Sequence, residues 1–470
     1  MNDFFLSLLV AGALSTSGSM PFWSYANQFD VMPRTSGGTA LLQTGMSYDE
    51  SRTFQLHWGL SAGIRYDSFD SPAFLPDEGY FGFRWKKLDF DLGLKRPAME
   101  FLGSSPSLGS ISATGGNLIF TGNSHPMPGY CINVHPVDIP FTRGHLQIEG
   151  KFADYVMADK RVEDKALAHN TALGLVGNIG NFSIRVGIDH WAVWDGSGIG
   201  NYFRMLVGKS AGKDGSQSDR MNVIGNQLGA EKIGVSYKGR GWRAELRHDI
   251  PYDDKSGMIF RNFPDGINTV SLSFDNKDRW VSDIVYEFHY TMYQSGPIHD
   301  NELDEKGNPI PWRPGLNFTG GDNYFNNSGF PSGWTYFGMT VGTPLFFPSG
   351  TRDGTWCGNN APTAGVENNR LKAHHLGLSG KLFKKIPYRL MATYSLCYGL
   401  YHAPYAGKSA WGQPWGTVDE TPLHQFSTGF TCEIPLLNNR LDLIPGIYAD
   451  SGEVLKKSFA ATLGVRVNIL

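Results

Sequence analysis

Residues 54–67 read FQLHWGLSAGIRYD, and the phase of that stretch decides the fold. Phe54, Leu56, Trp58, Leu60, Ala62, Ile64 and Tyr66 occupy one set of alternate positions, and Gln55, His57, Gly59, Ser61, Gly63, Arg65 and Asp67 occupy the other. Successive side chains of a strand point to opposite faces, so the pattern builds one apolar face and one polar or small face. A helix would need its apolar residues three and four apart.

The same period returns along the chain. Leu88, Phe90, Leu92 and Leu94 alternate with Asp89, Asp91, Gly93 and Lys95, and Phe182, Ile184, Val186 and Ile188 alternate with Ser183, Arg185, Gly187 and Asp189. Further runs begin at Ile284, Tyr388 and Phe459. Strands of soluble sheets usually run about five or six residues, whereas these run to roughly ten or more, the length that crosses a bilayer at a tilt. A large soluble β-sandwich shares the alternation but not the length. Aromatic residues near run ends, Trp58, Tyr66, Trp85, Trp194, Trp242 and Tyr401, suit interfacial girdles.

Connections alternate as well. Short ones at 86–87, 177–181, 239–241, 276–279, 384–387 and 437–440 contrast with long ones at 96–115, 195–227, 251–268, 295–333 and 402–422. Short turns on one rim and long loops on the other are the pattern of an outer-membrane barrel. The expected fold is all-β, a transmembrane antiparallel β-barrel of about 18 strands whose lumen is partly occluded by loops.

Composition agrees with strands joined by many turns: 58 of 470 residues are glycine, 13% are aromatic and 18% charged. A net charge of -3 gives no support to a nucleic-acid partner. The four cysteines, Cys131, Cys357, Cys397 and Cys432, form no metal-binding spacing. Cys397 lies in the polar phase of its strand and Cys432 in the apolar phase, so they should face opposite sides and remain unpaired. Nothing points to a cofactor. The start, MNDFFLSLLVAGALSTSGSM, has an apolar run and an Ala11-Gly12-Ala13 cleavage pattern, so residues 1–19 read as a signal peptide, 20–38 as an N-terminal periplasmic segment and 39–470 as one barrel domain.

Motifs of catalysis are weak. Gly59-Leu60-Ser61-Ala62-Gly63 fits a serine-hydrolase pattern, but that chemistry needs a sharp strand-to-helix elbow and the pattern lies mid-strand. His374 and His375 are adjacent and must face opposite ways on a strand. Asp300, Glu302, Asp304 and Glu305 offer carboxylates without the spacing of a calcium loop, and read as a solvated acidic stretch. Lumen-phase charges of both signs, Asp89, Asp91, Lys95, Arg185, Asp189, Arg243, Glu245, Arg247, Glu287 and Arg466, predict ion-pair networks that rigidify or partly plug the barrel.

Residues 317–347, NFTGGDNYFNNSGFPSGWTYFGMTVGTPLFF, differ from all of this. They mix Asp322, Asn323, Asn326 and Asn327 with Tyr324, Trp334 and Tyr336, a set suited to hydrogen-bonding sugar hydroxyls and stacking on sugar rings. Those seven are the candidate glycan contacts; filling and satisfying the lumen is the alternative role. From Trp334 onward the stretch is expected to enter the barrel wall.

Three sets of residues together resemble the capsule-assembly Wzi family of outer-membrane proteins, particularly its Bacteroidetes versions. They are Pro106-Ser107-Leu108-Gly109-Ser110-Ile111; Gly122-Asn123-Ser124-His125-Pro126-Met127-Pro128-Gly129; and Asp322-Asn323-Tyr324-Phe325-Asn326-Asn327 with Ser332-Gly333-Trp334-Thr335-Tyr336 and Gly342-Thr343-Pro344-Leu345. The resemblance implies an eighteen-stranded barrel in the outer membrane. It implies a lectin, not an enzyme, holding exported capsular or surface polysaccharide and assisting capsule assembly. Outer-membrane lipid and the barrel-assembly machinery are the other implied partners. The chain departs from the family in leaving little room before Thr39 for a periplasmic helical bundle, and in ending on Leu470 instead of an aromatic assembly signal. A substrate-specific channel of the same fold is the second reading, and a lipid-modifying barrel enzyme the third.

Overall fold

The computed structural model describes residues 4–46, 52–68, 73–97, 106–209, 223–253, 260, 262–295, 322–352, 364–401, 403–405 and 421–469. Eighteen long antiparallel strands close into one barrel. The first nine are β1 (Phe4–Ser15), β2 (Gly37–Met46), β3 (Phe54–Tyr66), β4 (Ala73–Trp85), β5 (Leu88–Leu94), β6 (Pro128–Asp138), β7 (Leu146–Val156), β8 (Leu167–Ile179) and β9 (Phe182–Trp194). The others are β10 (Asn226–Lys238), β11 (Trp242–Tyr252), β12 (Gly266–Phe274), β13 (Asp283–Tyr290), β14 (Arg370–Leu382), β15 (Ile386–Gly399), β16 (Leu423–Cys432, continued by Ile434–Leu436), β17 (Leu441–Gly452) and β18 (Ser458–Asn468). Each pairs with its chain neighbours, and β1 pairs with β18 from Ser7↔Asn468 to Ser15↔Ala460, so no sheet edge is left for another chain to join.

The alternation maps onto the two sides of the wall as the sequence predicts. In β3 exposure switches residue by residue, with Phe54, Leu56, Leu60 and Ile64 outward and Gln55, His57, Ser61 and Arg65 buried inward. Similar outward Leu, Ile, Val and Phe side chains follow on strands around the barrel. A soluble monomer rarely exposes an apolar patch beyond a few hundred Å², roughly, so this continuous belt requires lipid. Among the described residues no helix is long and apolar enough to cross a membrane; the strands do so.

The rims also sort as expected: connections 86–87, 180–181, 239–241, 383–385 and 437–440 share one rim with the start of β1 and the end of β18, and 95–127, 195–225, 291–369 and 400–422 share the other. His374 is on the outer surface and His375 in the interior. Cys397 is buried inward, Cys432 is outward, and both are free thiols, as is Cys131. The inward charges pair: Arg84 with Asp89 at 2.6 Å, Lys95 with Asp91 at 2.8 Å, Lys232 with Asp189 at 3.1 Å and Arg466 with Glu433 at 3.0 Å.

Four expectations are corrected. Phe4–Ser15, read as the core of a leader, is a wall strand bonded on both sides; its small residues Ala11 and Ala13 turn inward while Val10 and Leu14 face outward. Of residues 20–38, read as a periplasmic segment, 20–35 enter the lumen from the long-connection rim, where the Phe22 amide donates to Asp450 at 2.9 Å and the Trp23 indole to Thr393 at 3.1 Å, and Gly37 and Gly38 already belong to β2. The stretch from Trp334 does not join the wall, because its residues are buried on both faces; it forms the small interior pairing Thr335–Tyr336 with Met339–Thr340, and the wall resumes at Arg370. Trp194 and Tyr401 are buried and join no girdle: Trp194 lies under a short helix, and the Arg370 guanidinium stands 4.2 Å over the Tyr401 ring.

Candidate functional site

The lumen toward the long-connection rim is filled by three stretches, 20–35, 106–127 and 322–349; most of their buried apolar residues form one cluster with the wall, and Leu108 and Ile111 form a smaller one with Val285 of β13. Backbone groups carried into an interior need partners, and here the wall and the neighbouring stretch supply them. The Thr343 amide donates to Leu118 O at 2.9 Å, the Thr121 amide to Val341 O at 3.0 Å and Asn123 Nδ2 to Thr340 O at 2.9 Å, so 117–123 and 340–343 run as a bonded pair. Glu287 on β13 holds the start of the second stretch, accepting from Ser112 Oγ at 2.5 Å, the Ala113 amide at 2.7 Å and Thr114 Oγ1 at 3.0 Å. His375 on β14 bonds Ile111 O at 2.8 Å and Thr393 at 2.8 Å. Asn117 donates to Asp189 at 2.8 Å. The polar inner face is therefore a socket for the plug.

All seven sequence candidates lie in this plug or its roof. Tyr324 and Trp334 are 0% exposed and Tyr336 1%, so none offers a ring face to a ligand. Trp334 sits 5.2 Å from Trp191 of the wall and donates its indole N–H to Ile119 O at 2.6 Å. The Tyr336 hydroxyl accepts from the Ala158 amide at 3.4 Å, and the Tyr324 hydroxyl donates to Asp265 at 2.9 Å. Asp322 accepts from Ser295 Oγ at 2.8 Å; Asn323 accepts from Asn369 at 2.7 Å and from Asn326 at 3.0 Å; Asn326 also exchanges two bonds with the Val366 backbone. Asn327 accepts from the Gly329 amide at 2.8 Å and is half-buried beside exposed Ser328 and Gly329. Asn317 and the carboxylates from Asp300 to Glu305 lie outside the described residues. Ser61 of the hydrolase-like pattern faces inward and donates to Asp77 at 2.7 Å.

Residues that composition did not single out organise the roof. Buried Arg161 donates to Thr335 O at 2.7 Å and Gly333 O at 2.9 Å while pairing with Glu163 at 2.7 Å and Asp159 at 3.2 Å. Among the neighbouring charges of residues 159–164 it reads as one more solvated residue. Burial raises the Asp159 carboxyl above its usual range, with Arg161 opposing; at Glu163 burial also pushes upward, but Arg161 outweighs it and holds the group low. Burial pushes Asp265 up to about 6, against the bonds it accepts from the Gln294 and Tyr293 amides and the Tyr324 hydroxyl. Asp30 is opposite in sign: burial would raise it, yet Arg34 at 2.6 Å and Arg65 at 2.8 Å keep it below the ordinary carboxylate value. At the other end, a cavity of about 510 Å³ opens among Lys277, Asp283, Ser379, Arg389 and Arg466, with Ser107 and Ser110 of the plug in its lining.

A closed wall with an apolar lipid belt, short turns on one rim and long loops on the other settles the location. This is an outer-membrane β-barrel. No protein-family model matches the barrel, and no curated protein matches its sequence. Among solved structures it is similar to Wzi, an outer-membrane protein involved in group 1 capsule assembly in Escherichia coli and a carbohydrate-binding β-barrel. The TM-score is 0.56 at 11% identity, over 99% of this chain and 84% of that one. A BenF-like porin from Pseudomonas fluorescens aligns with a TM-score of 0.46 at 10% identity over 99% and 98% of the two chains. OpdH of Pseudomonas aeruginosa gives 0.44 at 10% over 100% and 99%. At these identities the likeness is one of fold.

Proposed function

We propose that this barrel holds an exported capsular or surface polysaccharide at its long-connection face, without cleaving it, and so assists capsule assembly. The observation that carries the reading is the filled lumen: an aromatic core bonded to the wall leaves the long-connection half to act as a shaped surface instead of a wide pore. The fold likeness to Wzi, itself a carbohydrate-binding barrel, supports it. In this reading Tyr324, Trp334 and Tyr336 act from behind, fixing the roof, and sugar hydroxyls meet polar groups at its surface, with Asn327 and the exposed turn 328–329 the nearest part of the candidate set.

Purified protein is expected to retain capsular polysaccharide of its own organism in a pull-down and to pass no steady current in planar bilayers. Steady open-channel current together with no retention of glycan would replace this reading by the substrate-specific channel.

A further inference from the structure

A short helix, α2 (Ile199–Leu206), follows β9 at the long-connection rim, later in the chain than the single-turn α1 (Pro106–Gly109) of the plug. It does not join the plug. Met205 packs on Ala192 and Trp194 of β9 and on Ile224, and the Tyr202 ring lies 5.6 Å from Trp194 and 5.7 Å from His169 of β8. Ala192 and Trp194 share the phase of Phe182, Ile184 and Val186, and His169 that of Leu173 and Leu175, which are lipid-belt positions. The helix therefore covers the outside of the wall.

What it covers is polar. On that outer face Asp154 of β7 meets His169 Nδ1 at 2.8 Å, accepts from the Tyr130 hydroxyl, and accepts from Tyr202 of the helix at 2.9 Å; His169 Nε2 bonds Thr171 Oγ1 at 2.7 Å. A carboxylate facing acyl chains is costly, and α2 roofs it while supplying one of its hydrogen bonds. The opposite helix face is apolar: Ile199, Phe203 and Val207, four residues apart in turn, are 74%, 61% and 63% exposed, with exposed Arg204 and Lys209 beside them.

We propose that α2 is an anchor in the outer leaflet, with Ile199, Phe203 and Val207 entering the acyl chains and Arg204 and Lys209 binding the phosphate of a phosphate-bearing lipid headgroup. Continuity of the stripe with the lipid belt selects lipid over a soluble partner, and two cations beside an apolar ridge select an anionic headgroup.

The full chain is reconstituted in vesicles of phosphatidylglycerol and phosphatidylcholine, with a benzophenone side chain introduced at exposed Phe203. Crosslinking to lipid is expected; crosslinks to protein alone, or none, would overturn the anchor. Replacing both basic residues, Arg204→Gln and Lys209→Gln, is expected to lower retained phosphatidylglycerol about fivefold per charge removed, read by native mass spectrometry. The heat-modifiable mobility of the folded barrel should be unchanged. Unchanged lipid retention, or displacement of the lipid by inorganic phosphate, would overturn the headgroup assignment. Glycan retention is scored separately and does not bear on this result.

Discussion

Single residues decide how firmly the plug is held, and Glu287 is the strongest case. Its buried carboxylate satisfies two hydroxyls and one amide of residues 112–114. Glu287→Ala leaves these donors unpaired in the interior and is expected to lower stability by about 3 kcal/mol, seen as an earlier urea transition in micelles; Glu287→Gln should cost less, because an acceptor remains. Asp265 gives a pH signature. Its folded value of about 6 lies above the ordinary 3.8, so the folded protein binds the proton more tightly. That stabilisation is complete below the unfolded value and is lost as pH rises through about 6. The protection of amides around Tyr324, taken as exchange relative to the intrinsic base-catalysed rate at each pH, is therefore expected to be greater at pH 5 than at pH 7, and Asp265→Asn should remove most of that difference in protection. Asp30 runs the other way, contributing above its ordinary range and losing that contribution only as strong acid protonates it. At the roof, Asn327→Ala should change stability by less than about 1 kcal/mol, whereas Trp334→Ala should cost about 3 to 5 kcal/mol. A loss of glycan retention in the first variant without a shift in melting would assign Asn327 to the ligand; equal retention would place the contact elsewhere.

Strands and plug stretches differ in how much of them the sequence reveals. A wall strand writes itself in period two, because one face meets lipid and the other the lumen, so β3, β9 and β15 are visible from their residues alone. Residues 322–349 have no such period: apart from the exposed turn around 328–331 they are enclosed by protein, and polar and aromatic residues mix with no face to sort them. The same composition that fits a sugar site therefore also fits a hydrogen-bonded interior, and only the contacts of Trp334 and Tyr324 separate the two. The leader-like β1 failed for a related reason, since Leu8, Leu9 and Val10 with small neighbours satisfy a wall strand as well as an export signal. Where plug and wall touch, space is the constraint. A Cβ on Gly377 of β14 would stand 1.9 Å from Ile111 O, the carbonyl that His375 bonds. Gly377→Ala is expected to push residues 108–114 off the wall at a cost of about 2 kcal/mol while β14 keeps its pairing. Protease accessibility of the plug with an unchanged β-sheet circular-dichroism spectrum would show it; a variant as resistant as the parent would mean that the plug is not seated through that contact.

At the scale of the molecule, wall and plug depend on each other through closure. β1 bonds β2 along Phe4↔Met46 to Ala13↔Gly37 and β18 along Ser7↔Asn468 to Ser15↔Ala460, so it is the last stave of the barrel. Without it β2 and β18 would each present a row of unpaired backbone groups to lipid, where every unsatisfied group costs several kcal/mol, roughly. The plug would lose its footing too, because residues 20–35 hang from the end of β1 and pin Trp23 against Thr393 of β15, four strands around the wall. Deleting residues 4–15 is therefore expected to abolish more than one strand's worth of structure: loss of the heat-modifiable mobility that marks a closed barrel, and loss of glycan retention with it. Gly377→Ala should behave differently, keeping the closed-barrel mobility while loosening the interior. If the deletion instead kept a closed barrel, seventeen strands would have to pair β2 with β18 directly. That pairing joins two strands that run in the same direction, unlike every other pair in this wall, so its hydrogen-bond pattern and register would have to be rebuilt.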